Sequence, residues 1–414
     1  MHPEAEGSDE TAMILHSYRR ASPYGVKRRR AGRLDWPLIV VVYAMSLFGI
    51  YCISSATFDP DKGTDLSLLN YILNSRSSLW QSIFVLLSPV VLTVVAAIPM
   101  ELYRNRVGKL IYYGVLALLV VTLLTSKLVN GINAWLQTGF GRAIQPCEFA
   151  KISVLIVLAR ILSQSKKPMG TFREFLRVCL VVGVPAGIVL LQGETGSVIV
   201  IGVMFLCMIY FAGVDIRLVL GIVLGVMLAA GGIVAYALIT GSTDYRIIRL
   251  LAFTDPQKYS QGGGYQLLQS QVAIGSGQLT GLGTFALGTT TQLGNVPENS
   301  TDFILSTIAE AFGFVGVCAV LAAYLFILLR MMYLSRTVTY RFSRLLIVGV
   351  MSMLMFHVVQ NMGMCMGLMP ITGIPLPFLS YGGSNYMTNM IGLGLVLGAT
   401  RNRVSGTPVL TGLT

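Results

Sequence analysis

Charge is scarce in this chain. Asp, Glu, Lys and Arg together make 12% of 414 residues, against 54% hydrophobic ones, and the mean hydropathy is +0.71. That balance excludes a water-soluble globular domain, whose charged share is about twice as large. Histidine is nearly missing: His2, His16 and His357 lie too far apart to form a metal-ligand set. His357, inside an apolar stretch, reads as an interhelical hydrogen-bonding group. There are six cysteines but no close-spaced pair. Cys52, Cys179, Cys207, Cys318 and Cys365 fall in apolar stretches and only Cys147 in a polar one, so a disulfide framework is excluded and buried small side chains are expected. Residues 1–33 hold no apolar run, so no signal peptide is expected there. The net charge of +12 is not a nucleic-acid footprint in such a composition, and no nucleic-acid partner is expected.

What is present is long apolar runs. Segments near 20 residues recur, each long enough to cross about 30 Å of hydrocarbon. They predict spans at about 37–56, 79–98, 110–126, 149–163, 175–192, 196–213, 217–240, 303–329, 345–364 and 382–399. The expected fold class is an all-α polytopic integral membrane protein with ten transmembrane helices and a large loop, 241–302, between the seventh and eighth. Both termini then share one side, and 22 of the 30 Lys and Arg fall on segments of that side. By the positive-inside rule that side is the cytoplasm, which leaves the loop extracytoplasmic. The expected layout is a disordered basic cytoplasmic tail over 1–36, a membrane domain over 37–400 and a cytoplasmic tail over 401–414. The basic end of the first tail suits anionic membrane lipids.

The long loop is where chemistry is expected, because a loop of that length in an economical membrane protein functions or is disordered. Asp302 stands where the chain re-enters apolar sequence, after Ser300 and Thr301. Two readings of it are open: a helix cap, or an ionised carboxylate acting as general base. Glu310 lies two turns deeper, roughly 12 Å along the axis, where a hydrogen-bonding role inside protein is expected. Arg246 and Arg249, spaced i and i+3, suit either lipid headgroups or a pyrophosphate. Glu148, Lys151, Glu194 and Glu298 add charge at the outer mouth, and only Glu310 and His357 lie near span centres. That distribution favours chemistry at the outer interface over carriage through the bilayer. Trp135, in the outer segment Asn130–Lys151, suits the membrane interface. Pro370, Pro375 and Pro377 exclude a continuous helix over Gly367–Ser384.

Together these stretches resemble the SEDS family, the RodA/FtsW/SpoVE polytopic proteins of bacterial cell-wall synthesis. The resemblance is carried first by Gly131…Trp135…Gln145-Pro146-Cys147-Glu148…Lys151 and by Tyr265-Gln266…Ala273-Ile274-Gly275-Ser276-Gly277. It continues in Pro297-Glu298…Thr301-Asp302-Phe303-Ile304, Glu310…Gly313, and Gly373-Ile374-Pro375-Leu376-Pro377…Ser380-Tyr381-Gly382-Gly383-Ser384. These come in the family's order over about residues 37 to 400. The chain departs from the family pattern at Ala134, Cys147, Ser300 and the turn Gln192-Gly193-Glu194-Thr195-Gly196.

The resemblance implies a ten-helix protein of the bacterial cytoplasmic membrane, most like the elongation type, RodA, at 269–277 and 374–377. It implies a peptidoglycan glycosyltransferase that polymerises lipid II, the undecaprenyl-pyrophosphate-linked precursor, outside the membrane. A class B penicillin-binding protein transpeptidase is the implied partner. The family's essential aspartate falls on Asp302, expected to be the base of an inverting transfer. Lys151, Arg246, Arg249, Glu298, Trp135, Gln269, Ser276, Ser380, Tyr381 and Ser384 are the expected substrate contacts, and Glu148, Glu194 and Glu310 the structural polar residues. Charge on the pyrophosphate would be met by Lys151, Arg246 and Arg249, or by a divalent cation, Mg2+ or Mn2+. A lipid II flippase and a non-catalytic scaffold are the competing functions. Sparse midplane charge counts against the first, and an outer carboxylate beside cations against the second.

Overall fold

A computed structural model of the protein describes residues 34–57, 72, 75–126, 133–138, 142–165, 167–240, 249, 252–259 and 263–401. The tails expected over 1–36 and 401–414 lie almost wholly outside the described residues, and so does Arg246. The helices are α1 (Trp36–Ala56), α2 (Arg76–Ala97), α3 (Met100–Thr125), α4 (Pro146–Gln164), α5 (Phe172–Leu191) and α6 (Thr195–Phe211). They continue with α7 (Ile216–Thr240), α8 (Gly263–Ser276), α9 (Ile304–Thr337), α10 (Arg341–Cys365) and α11 (Gly383–Arg401). A small antiparallel pair, β1 (Leu136–Thr138) and β2 (Arg142–Ile144), precedes α4, with Leu136 opposite Ile144.

Among the described residues, seven helices, α1, α2, α3, α5, α7, α9 and α10, are long and apolar enough to cross a membrane. The protein is a helical, polytopic membrane protein. The other three predicted spans coincide with α4, α6 and α11. α6 has 17 residues, while α4 and α11 bury polar side chains: Glu148, Lys151 and Ser153 on one, Asn385, Thr388 and Asn389 on the other. A helix enclosed by others faces protein instead of lipid, so it tolerates polar and small residues that lower its hydropathy.

Burial sorts the bundle accordingly. In its most apolar window α10 is 78% buried and α7 only 6%. α10 packs against α4, α6, α9 and α11. α11 also seats on α2, where Gly394 and Gly398, one helical turn apart, lie close to the Leu92 and Ala96 carbonyls.

Two helices run past the basic residues at which spans were expected to end. α3 starts at Met100 and carries Arg104 and Arg106 through a π turn over Tyr103–Val107. α9 continues through Arg330 to Thr337, because Arg330 has a partner. Its Nε donates to Asp35 Oδ1 at 3.0 Å and its Nη2 to Asp35 Oδ2 at 2.9 Å, just ahead of α1. On the same end Arg341 donates to the Ser165 and Ala212 carbonyls, each at 2.6 Å, closing the ends of α4 and α6.

The stretch read as a loop over 241–302 is partly helical. α8 turns Gly264, Leu267, Ser270 and Ala273 inward, a helical period of three. Ser270 Oγ donates to the Cys365 carbonyl at 2.9 Å and shares a 2.6 Å hydrogen bond with Ser306. Residues 278–283 then fill a break in α9. Gly313, at φ +65° and ψ −163°, interrupts the helical ladder. Leu282 and Gly283 N–H groups donate to the Glu310 and Ala311 carbonyls, and Phe314 and Val315 N–H groups donate to the Gln278 and Leu279 carbonyls. A Cβ at Gly313 would stand 2.5 Å from the Leu279 carbonyl, so both the dihedral and the space demand glycine.

Candidate functional site

The polar segments meet at one end of the bundle, the end where α4, α6, α9 and α11 begin. Asp302 lies there, half-buried, one residue before the N-cap of α9. The N-cap is Phe303, and no side chain caps the helix. The cap reading of Asp302 therefore fails. Its backbone is held firmly instead. Asn361 Nδ2 donates to the Asp302 carbonyl at 2.7 Å, Ser380 Oγ to Thr301 O at 2.6 Å and Tyr381 N to Ser300 O at 2.9 Å.

Opposite the carboxylate stands Gly373, at φ +67°. A Cβ placed on it would lie 3.2 Å from Asp302 Oδ2 and 3.5 Å from Arg249 Nη1, so carboxylate and guanidinium converge over a bare backbone. Glu298 accepts from Thr301 Oγ1 at 2.8 Å and itself sits at φ +56°, a left-handed conformation rare for a side-chain-bearing residue. Burial pushes the Asp302 carboxyl up to about 7; the Glu298 charge adds to the rise, Arg249 opposes it and Glu194 adds again. A carboxylate held there is a far stronger base than an ordinary aspartate and still ionises near neutral pH. Glu194, at the N-cap of α6, is also raised, chiefly by burial and then by Glu148, against a 2.7 Å hydrogen bond from Gln145 Nε2.

Deeper in the bundle lies a second polar group. Lys151 Nζ donates to Glu148 Oε1 at 2.7 Å and lies 3.2 Å from His357 Nε2. Asn385 Nδ2 donates to Glu148 Oε2 at 3.0 Å, and Asn389 Nδ2 to Asn385 Oδ1 at 2.9 Å. His357 Nδ1 is 2.7 Å from the Met353 carbonyl, which makes it the protonated nitrogen and leaves Nε2 to accept from the lysine. Lys151 is 1% exposed and Glu148 3%.

These positions correct several expectations. Lys151, expected at the outer mouth as a phosphate ligand, is sealed inside with its ammonium engaged by Glu148 and His357. Ser276 donates to Ala273 O and Glu310 Oε1, away from Asp302. Ser380 supports the Asp302 segment from beneath, its hydroxyl also accepting from Leu376 N at 2.8 Å. Ser384 accepts from Gln145 N at 3.1 Å. Glu310 is not among these corrections: expected to hydrogen-bond within protein, it accepts from Thr290 N at 2.7 Å and Thr291 N at 2.9 Å. Trp135 is exposed ahead of β1 and Gln269 is half-buried on α8; no described hydrogen bond joins either to Asp302. Among the described residues, no three His, Cys, Asp or Glu side chains gather as a metal-ligand set. Asn361 and Gly373 are the site residues that the sequence reading did not single out for a role.

Residues 35–405 match the sequence profile of the FtsW/RodA/SpoVE family, described as "Cell cycle protein". Over 370 residues the chain is 30% identical to the peptidoglycan glycosyltransferase MrdB of Escherichia coli (strain K12), covering 89% of this chain and 94% of that protein. It is 29% identical over 438 residues to the peptidoglycan glycosyltransferase RodA of Treponema pallidum (strain Nichols), covering 89% and 98%. The fold matches a chain from a structure of a peptidoglycan synthase complex that coordinates polymerization and crosslinking, with a TM-score of 0.73 and 27% identity over 90% of this chain and 99% of that one. It also matches the crystal structure of the rod shape determining protein RodA of Thermus thermophilus, with a TM-score of 0.63 and 26% identity over 90% and 99%.

Proposed function

We propose that this chain, which belongs to the FtsW/RodA/SpoVE family and is a peptidoglycan glycosyltransferase, polymerises lipid II with Asp302 as general base. One observation carries the mechanism: the Asp302 carboxylate caps nothing and stands beside Arg249 over the open backbone of Gly373. A glycan hydroxyl oxygen attacks the anomeric carbon of the lipid-linked sugar. Its proton passes to Asp302. The bond from that carbon to the pyrophosphate oxygen breaks, and the lipid pyrophosphate leaves with the electron pair. Attack from the face opposite the leaving group inverts the centre, from α-linked donor to β-linked product, without a covalent enzyme intermediate.

Arg249, with Arg246 of the same segment, meets the charge on the leaving pyrophosphate. The helix N-termini gathered at this end favour an anion as well. Lys151, buried and paired with Glu148, is not part of this charge. A divalent cation arriving with the pyrophosphate is the alternative charge carrier, and loss of turnover on chelation would favour it.

The ten long helices other than α8 are read as ten spans, with both termini cytoplasmic and the Asp302 end extracytoplasmic. The charge distribution supports this, since the opposite end carries most of the Lys and Arg. A class B penicillin-binding protein is the partner, a reading supported by the likeness to a chain of a synthase complex. The likeness to the two RodA proteins supports a role in elongation. The test is purified protein with its partner and lipid II, comparing wild type with Asp302→Asn. The expected outcome is intact lipid II binding with polymer reduced about 10²–10⁴-fold. Substantial polymer from the Asn variant, free of other glycosyltransferases, would sink the mechanism.

A further inference from the structure

Asn361 lies on α10 beneath the site, 0% exposed, and takes no part in the steps above. Because α9 begins at Ile304 with Phe303 as its N-cap, the Asp302 carbonyl stands outside the helix's own ladder. Asn361 Nδ2 takes it up at 2.7 Å, and the same nitrogen donates to the Ile374 carbonyl, also at 2.7 Å. An amide NH2 has two hydrogens, and two carbonyl acceptors use both and fix which way the amide faces. The carbonyls belong to opposite walls of the site. One is the backbone of the base, and the other is the residue after Gly373, whose missing Cβ leaves room within 3.2 Å of Asp302 Oδ2.

We infer that Asn361 is a positioning residue: by clamping the Asp302 and Ile374 carbonyls it sets the gap between the carboxylate and the Gly373 backbone, and so the seat of the attacking hydroxyl. This rests on the reading of Asp302 as base. Thr301 and Ser300 are tied separately, by Ser380 and the Tyr381 amide, and the other described donor to the Asp302 carbonyl is the weak Cys365 thiol at 3.8 Å, so losing Asn361 loosens the carboxylate's own residue while the preceding segment stays in place. The consequence is misplacement of the base, and a displacement of about 1 Å is enough to slow a transfer by about 10²-fold.

The experiment uses the full chain with its partner and lipid II. Asn361→Leu and Asn361→Asp both remove the NH2 at similar size. Turnover is expected to fall about 10–100-fold with the apparent KM for lipid II nearly unchanged. The midpoint of the pH–rate profile of Asn361→Leu should move, since the carboxylate changes its distance from Arg249; a purely structural role would leave that midpoint alone. Gly373→Ala probes the same gap from the other wall. Gly294→Ala, at φ +71° with open space around it, controls for backbone strain. A folded Asn361→Leu protein with wild-type turnover and pH midpoint would overturn the inference, as would a loss confined to KM. If neither Asn361 variant folds, the glycine pair decides, and equal turnover in Gly373→Ala and Gly294→Ala overturns it. Asp302→Asn run alongside keeps the two claims apart. Turnover in that variant defeats the base, whereas an inactive Asp302→Asn beside a wild-type Asn361→Leu defeats only the clamp.

Discussion

The two ends of the bundle solve the same problem with different chemistry. Each must satisfy polar groups at the ends of its helices and in the turns between them. At the basic end charged groups do it: Arg341 takes the Ser165 and Ala212 carbonyls, and Arg330 grips Asp35 through two nitrogens. At the other end neutral groups do it. Asn299 Nδ2 donates to Ala56 O and Thr291 O, Gln192 Nε2 to Leu119 O, Asn361 to two carbonyls, and Ser380 to Thr301 O. The difference teaches what charge is for at each end. Scaffolding built from amides and hydroxyls does not neutralise Asp302 or add a fixed cation beside it. The charged pair that does serve as scaffold there, Glu148 and Lys151, is buried and self-compensated.

The sharpest way to break this comparison is to change one charge at each end. Asp302→Asn should lower polymerisation by about 10²–10⁴-fold without lowering the melting temperature in detergent near pH 7. Arg341→Leu should do the reverse. It strands two partly buried carbonyls, costing about 2–3 kcal/mol, while turnover per folded molecule stays at wild type. Thermal melts and polymer assays on both proteins check this. A basic-end variant that lost turnover without losing stability would erase the distinction.

How much of this was legible beforehand follows the same division. Apolar runs announced each long helix, because lipid-facing surface is written in composition. Asp302 was legible as the carboxylate at a re-entry point. That it does not cap was not, since this depends on the turn that makes Phe303 the N-cap. Lys151 misled because its partner His357 lies 206 residues away on α10, and no local pattern joins them. The glycines from 275 to 283 had no role legible in the sequence, because the break at Gly313 that their segment packs against appears only once α9 is built. Asn361 left a faint signal: Gln360-Asn361 puts two amides inside an apolar helix, where each needs a partner.

A third, smaller effect concerns stability against pH. The Asp302 carboxyl is raised to about 7, from about 3.9 in an unfolded chain. The folded protein thus holds the proton more tightly, and the stability this contributes is full below pH 4 and is lost as pH rises through 7. Asp302→Asn stays neutral at every pH. Its melting temperature should therefore gain on wild type as pH rises from about 4 to about 7, and the two curves should run parallel above about pH 8. Parallel curves between about pH 4 and 7 would show that the carboxylate ionises without strain.

The smallest expected effect is also the most specific to the site end. Glu298 raises the Asp302 carboxyl, second only to burial, whereas Arg249 lowers it. Glu298→Gln removes a negative neighbour without changing size, so Asp302 should ionise more readily and the acidic limb of the pH–rate profile should move to lower pH. Glu298 is exposed, so solvent screens it and the shift should be under about one pH unit. Arg249→Gln should move the same limb to higher pH, whatever it does to turnover through pyrophosphate. Opposite displacements from two neighbours identify the titrating group as the one between them. Raising salt to about 1 M should shrink the Glu298 effect first, because at that strength the Debye length is about 3 Å and the exposed charge is screened before the enclosed one. If both variants move the limb the same way, the group that titrates in catalysis is not Asp302.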